Sequence, residues 1–299
     1  MTTQKYTSIK KSSYDIDRLT QEIEKMNTSR ASSSSDDEER YWKLDVDKAG
    51  NGQAVIRFLP PPPVDGDDAL PFVKLFTHGF QGPTGKWYIE NSLTTINQRD
   101  PISELNAELW NESDDDNSPG RKQARAQKRK LNFISNVLVL SDPMHPENEG
   151  KVFLFRYGKK IFDKINQSMK PEFAGDPKVN PFDPENGANL RLRRRKGDGG
   201  YPNYDASVFE TPSAITADED LLLEIWNKEY SLKDIVAPDK FKSYDELKKQ
   251  LEFALGAAQP RPVAKPKAPA PAPVEDSIPW DTEDVADDAT ALFKDLADE

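Results

Sequence analysis

LRLRRRK, Leu190–Lys196, is the stretch on which the reading of this chain turns. In an extended chain successive side chains point to opposite faces. Leu190 and Leu192 then share one face, while Arg191, Arg193 and Arg195 share the other. The segment therefore predicts a strand with an apolar back and a cationic front. Three arginines in one row repel each other unless an anion lies among them, so the strand is expected to border a polyanion. The loop that follows, GDGGYPNYD, holds Tyr201 and Tyr204 among Gly and Pro, with little nearby to bury them.

The same alternation appears in KVFLFRY, Lys151–Tyr157. Phe153, Phe155 and Tyr157 share one face; Val152, Leu154 and Arg156 share the other. The pattern leaves open which face is buried. Lys159 and Lys160 follow at once. Further upstream, RKQARAQKRK (Arg121–Lys130) holds six bases and no acid, and Phe133 stands three residues beyond Lys130. Aromatics interleaved with bases suit a single-stranded nucleic acid, because stacking on a ring contributes ~1–3 kcal/mol per base whatever the base. No helix carries the Arg, Asn or Gln tip that duplex reading would require.

Outward from these segments the chain predicts a mixed α+β domain. Candidate strands are Gln53–Leu59, Pro71–Thr77, Lys86–Glu90, Phe133–Leu140, Lys151–Tyr157 and Ala188–Arg195, each short and bounded by Gly, Pro or Asn. Candidate helices are Lys159–Lys170, Asp218–Tyr230 and Ser243–Leu255. The last has a Ser243–Glu246 capping box, a Leu247/Leu251/Leu255 stripe and Gly256 as its stop. Asn111–Pro119 reads as a mobile acidic loop. Four segments result: a basic arm at residues 1–35 with an amphipathic run (Ile16, Leu19, Ile23, Met26), a core at 36–256, a Pro/Ala linker at 257–274 and an acidic tail at 275–299.

Charge is divided along these boundaries. The formal net charge is −11, yet the tail, with ten acids and one base, carries −9 of it. An acidic total therefore does not argue against a nucleic-acid partner. The linker holds three bases, six prolines and no acid. Absence of cysteine excludes a disulfide scaffold, a thiol nucleophile and Cys-based metal sites. No apolar run is long enough to span a membrane. No phosphate-binding loop, nucleophile elbow or zincin motif is present, and the two histidines, His78 and His145, are isolated, so no enzyme is expected.

Several ordered blocks carry a family resemblance: AGNGQAVIRFLP (Ala49–Pro60), THGF with GKWYIE (Thr77–Glu90), PENEGKVF (Pro146–Phe153), GKKIFDKIN (Gly158–Asn166), NYD (Asn203–Asp205) and DKFKSYDEL (Asp239–Leu247). The chain resembles the single-stranded DNA-binding, helix-destabilising proteins of T-even-type phages. That resemblance implies an OB-type five-stranded β-barrel with a helical subdomain, a flexible basic arm and a disordered acidic tail. It implies cooperative, sequence-independent coating of single-stranded DNA in replication, recombination and repair, in the cytoplasm of the infected host. The alternative is an OB-type RNA-binding translational regulator. By carry-over, Lys10, Lys11, Ser12 and Ser13 bind the neighbouring protomer, and replication and recombination proteins bind the tail. The DNA-facing set, joining the residue patterns to the carry-over, is Lys128, Arg129, Lys130, Phe133, Phe155, Arg156, Tyr157, Lys159, Lys160, Arg191, Arg193, Arg195, Tyr201 and Tyr204. With Phe155 carried over, the aromatic face of Lys151–Tyr157 is expected to line the cleft. The family's zinc, held by one His and three Cys, is expected to be lost: His78 matches the histidine, but Ser92, Asp100 and Ser103 stand near the cysteine positions. Ile96, Ile102, Leu105, Leu109 and Trp110 are expected to hold that segment by packing instead.

Overall fold

A computed structural model describes residues 39–256 apart from 67, 174 and 198–200. The basic arm with its amphipathic run, the linker and the acidic tail lie outside the described residues. The chain divides into two compact units, Met1–Lys43 and Leu44–Glu299. Of the first, only residues 39–43 are described, with the short strand β1 (Tyr41–Trp42).

The second unit is organised by one long strand. Its strands are β2 (Gly52–Phe58), β3 (Val73–Gln81), β4 (Trp87–Asn91), β5 (Lys130–Ser141), β6 (Val152–Tyr157), β7 (Leu190–Lys196), β8 (Pro202–Asn203) and β9 (Val208–Phe209). β5 is twelve residues long. Its first half pairs with β3 (Val73 opposite Ile134, Thr77 opposite Lys130) and its second half with β2 (Phe58 opposite Val137). β6 runs along its other edge, Phe133 opposite Tyr157. All these pairs are antiparallel, and the β2–β5 register shifts at Val55/Ile56, where the ladder bends. β2 continues the sheet into β7, with Gln53 opposite Arg193. The six expected strands are all present, their ends displaced by at most four residues.

Among the described residues, five α-helices complete this mixed α/β fold: α1 (Pro101–Asn111), α2 (Pro119–Gln127), α3 (Lys159–Met169), α4 (Glu219–Asn227) and α5 (Tyr244–Leu255). In α5 both halves of the capping box form, and Gly256 ends the helix at φ 77°. α1 and α2 are additions to the sequence reading. Each opens on a side-chain cap followed by proline, Asp100–Pro101 and Ser118–Pro119. Between them the acidic loop is pinned rather than mobile. Asp116 pairs with Arg121 at 2.9 Å and Arg125 at 3.0 Å, and both guanidiniums lie over the Trp110 ring. Two of the six bases in the basic run are thereby committed to contacts within the fold.

Two features fix the core. Phe80, Tyr88, Leu93, Ile102, Leu247 and Leu251 form one apolar cluster, with Ile96 and Leu105 packed against it. Separately, Arg57 is fully buried on β2. Its guanidinium donates to Asp183 O (2.8 Å), Ser213 O (2.9 Å) and Asn189 Oδ1 (3.3 Å), joining three loop segments to the sheet.

Candidate nucleic-acid interface

β7 has the two faces that its sequence predicts. Leu190 and Leu192 are fully buried, while Arg191 and Arg195 are exposed and Arg193 is half-buried. The row is not uniformly open. Arg191 donates through Nε to Glu210 (3.0 Å) and so already has its anion; Arg191 in turn holds the Glu210 carboxyl below its ordinary range. Among the described residues Arg193 and Arg195 make no ion pair. The cationic front is thus concentrated at Arg193 and Arg195.

The strand turns back through β8, with Arg195 opposite Asn203 and Gly197 N–H donating to Tyr201 O at 2.8 Å. Tyr201, at the mouth of this hairpin, is 76% exposed. Tyr204 is partly buried, which pushes its hydroxyl up, with Arg194 acting in the opposite sense. Next comes the residue that joins two basic elements. Lys160 of α3 donates to the Asp205 carboxylate at 3.1 Å, and Lys164 donates to Asp205 O at 3.1 Å. The Asn203 amide donates to the other Asp205 oxygen at 2.8 Å. Those contacts, led by Lys160, lower the Asp205 carboxyl. Asp205 therefore ties the arginine hairpin to the lysine-rich start of α3. Lys159 pairs with Asp163 one turn on, at 2.9 Å. Exposed pairs of this kind contribute little, so a phosphate can displace a carboxylate at small cost. Neither Asn203 nor Asp205 is in the sequence-based set; the NYD block quoted above contains both, and an Asx-type turn was the available signal.

Lys128, Arg129 and Lys130 stand at the junction of α2 and β5. Arg129 lies over the Phe76 ring at 4.3 Å, and Lys130 is exposed. Arg156 is exposed on β6.

The aromatic members of the predicted set lie elsewhere. Phe133 is 1% exposed and sits between partners, with its ring parallel to Phe162 at 3.8 Å and stacked on Tyr157 at 5.9 Å. Phe155 and Tyr157 are also buried; Phe58 meets both rings and also Phe182. Tyr157 shares a hydrogen bond with Ser135 at 2.9 Å, and burial raises its hydroxyl pKa. The expectation that this face of β6 lines a cleft is corrected: α3 and the segment bearing Phe182 cover it. The opposite face is covered as well, since Val152 packs with Leu59, Leu138 and Ile225. Phe133, Phe155 and Tyr157 present no free ring face in this arrangement, whereas Tyr201 does.

The positions implied for zinc converge without forming a zinc site. His78, Ser92, Asp100 and Ser103 are all buried. Asp100 is their centre. Its Oδ1 accepts from the Ile102 and Ser103 N–H groups, which caps α1, and stands 3.5 Å from His78 Nε2. Its Oδ2 accepts from the Ser92 hydroxyl (3.0 Å) and Leu93 N–H (3.1 Å). His78 Nδ1 donates to Gln127 O at 2.9 Å. Burial raises the Asp100 carboxyl, but His78 and the Ser103 and Leu93 N–H groups outweigh it and hold the group at about 2. Zinc needs thiolate, imidazole or carboxylate donors. Here two of four positions are neutral hydroxyls and both carboxylate oxygens are occupied. The residues do not fit the ion.

Residues 50–254 match the family described as "gp32 DNA binding protein like". The chain belongs to that family. It is 39% identical over 247 residues to the single-stranded DNA-binding protein of Enterobacteria phage T4, covering 80% of this chain and 77% of that one. Identity to the phage T2 protein of the same name is 39% over 231 residues, 75% of this chain and 72% of the other. A shorter match, 52% over 61 residues, joins it to the protein of that name in Escherichia phage SV14 and covers 20% of this chain and 50% of that one. The family match spans the arginine hairpin, α3 and the Asp100 cluster of this gp32-like chain together.

Proposed function

We propose that this chain is a non-enzymatic, sequence-independent single-stranded DNA-binding protein that coats DNA cooperatively during phage replication, recombination and repair. The carrying observation is the hairpin with Arg193, Arg195, Lys196 and the exposed Tyr201, tied by Asp205 to Lys160 and Lys164. Its bases meet phosphates and Tyr201 stacks on a base. The names of the T4 and T2 relatives support the same reading.

Finer parts of the proposal follow. The bent sheet around β5 is read as the OB-type barrel of the family. Lys10, Lys11, Ser12 and Ser13 contact the neighbouring protomer along the strand. The −9 tail competes with DNA for the cationic surface and, once displaced, is offered to replication and recombination proteins. Such a protein works in the cytoplasm of the infected host; among the described residues no helix is long and apolar enough to cross a membrane. No zinc is required, because the Asp100 hydrogen bonds hold α1 where the resemblance places a metal.

Fluorescence titration of the full chain with single-stranded oligonucleotides tests the central statement. Affinity is expected to be similar across base compositions and to rise at low salt when residues 275–299 are deleted. Sequence-dependent binding, or a preference for matched RNA, contradicts it. Zinc is expected to leave the melting temperature unchanged; a rise at micromolar zinc rejects the metal-free account.

A further inference from the structure

An apolar groove of about 450 Å³ lies between the proline run after β2 and helix α4. Pro61, Pro62, Ile215, Leu223 and Trp226 line it, and Glu229 closes it. Trp226 Nε1 donates to Pro61 O at 2.9 Å, which locks the indole against the prolines. Leu223 is half exposed, although it faces the groove.

Glu229 is the feature that the fold itself does not explain. The residue is 8% exposed, and neither carboxyl oxygen has a hydrogen-bond partner. Its neighbour Asp65 has taken the local donors: Ser231 Oγ, Leu232 N–H and Lys233 N–H all give to it. Burial, and then the charge of Asp65, push the Glu229 carboxyl up to about 9. Both effects favour the uncharged acid, whose O–H donor has nothing to receive it. A buried donor without an acceptor is destabilising. The missing partner is an acceptor that enters with an apolar surface.

A proline-rich strand has that chemistry. Proline supplies a carbonyl and no N–H, and polyproline II leaves its carbonyls free of internal hydrogen bonds. Such strands dock in grooves lined by aromatic rings. This chain carries one, QPRPVAKPKAPAPAPV, directly after the last described helix. Charge also matches. Beside the lining positions Pro184 and Gly66 stand Glu185 and Asp68, and Glu219 lies one helical turn before Leu222 and Leu223. The segment brings Arg261, Lys265 and Lys267. Extended at roughly 3.1 Å per residue, residues 257–274 span about 55 Å, against a radius of gyration of roughly 17 Å for a compact domain of about 200 residues.

We propose that this groove binds the chain's own proline-rich segment, with the Glu229 carboxyl donating to one of its carbonyls. Docked there, the segment fixes where the acidic tail starts, independently of whether DNA is bound. The acidic tail itself is a poor occupant, because its charges would meet the acidic rim.

The native chain has no cysteine, so an introduced pair reports one contact. The test is mild oxidation of the full chain carrying Leu223→Cys with Val263→Cys, without DNA. An intrachain disulfide is expected to form at least ~10-fold faster than in a chain carrying Leu223→Cys with Thr282→Cys, because docking raises the local concentration. Excess synthetic peptide of residues 257–274 is expected to slow it. Equal rates for the two pairs, no effect of the peptide, or disulfides only between chains overturn the proposal. The last result would give the groove to a second copy. DNA binding, measured separately on the same chains, is not expected to change, so failure here leaves the reading of the arginine hairpin intact.

Discussion

Strands β6 and β7 carry the same alternating signature and have opposite fates. In β7 the leucine face is buried and the arginine face reaches solvent. In β6 both faces are covered, one where Phe58 meets the Phe155 and Tyr157 rings, the other where Val152 packs with Leu59, Leu138 and Ile225. Alternation separates two faces of a strand; it does not say how many layers lie over them. β7 escapes because its front row is charged, and burying three guanidiniums without partners is prohibitive. β6 has a single charge, Arg156, at its rim, and its aromatic row gains more from ring packing than from waiting for a base.

The sharpest way to break this contrast is Phe133→Ala. Phe133 is enclosed by Phe72, Tyr157 and Phe162. Its truncation is expected to cost ~3–5 kcal/mol of stability by chemical denaturation. If stability is unchanged and DNA affinity falls instead, the ring belongs to the interface and the contrast fails. Tyr201→Ala should do the reverse. It is expected to weaken single-stranded DNA binding by ~1–3 kcal/mol, with a melting temperature close to that of the parent. Lost stability with unchanged binding would move Tyr201 into the core.

A smaller effect marks a third kind of surface. His145, half-buried, bonds Glu147 at 2.9 Å and Asp45 at 2.6 Å. Those two partners, Glu147 first, raise its pKa. The raised value means that the stabilisation is complete below the unfolded pKa of about 6.5 and is lost as pH rises through the folded value. A shallow decline in melting temperature above neutral pH, absent in His145→Gln, is expected. An increase over that range would reverse the sign.

The strands and α5 were legible because their signals are local: alternation, a capping box, a terminal glycine. α1 and α2 open on start signals, Asp100–Pro101 and Ser118–Pro119, but the dense acids and bases around them read from sequence as a loop and a basic run. The division of the basic clusters was not legible. Arg121 and Arg125 are claimed by Asp116, Arg191 by Glu210, and Lys160 and Lys164 by Asp205, all through tertiary contacts that no spacing reveals. Ser92, Asp100 and Ser103 differ from the family's cysteine ligands in chemistry alone, which the sequence displays. Their convergence on one carboxylate required the fold.

The central claim is that Arg193 and Arg195 form the phosphate-binding front of β7. It is tested most directly by salt-titrated binding of the full chain to single-stranded DNA, with and without Arg193→Ala/Arg195→Ala. The parent is expected to lose affinity linearly with log salt, and the double variant to show a slope smaller by ~1.4, from roughly 0.7 per lost contact, with stability changed by less than ~0.5 kcal/mol. Equal slopes and affinities in the two chains would contradict the account.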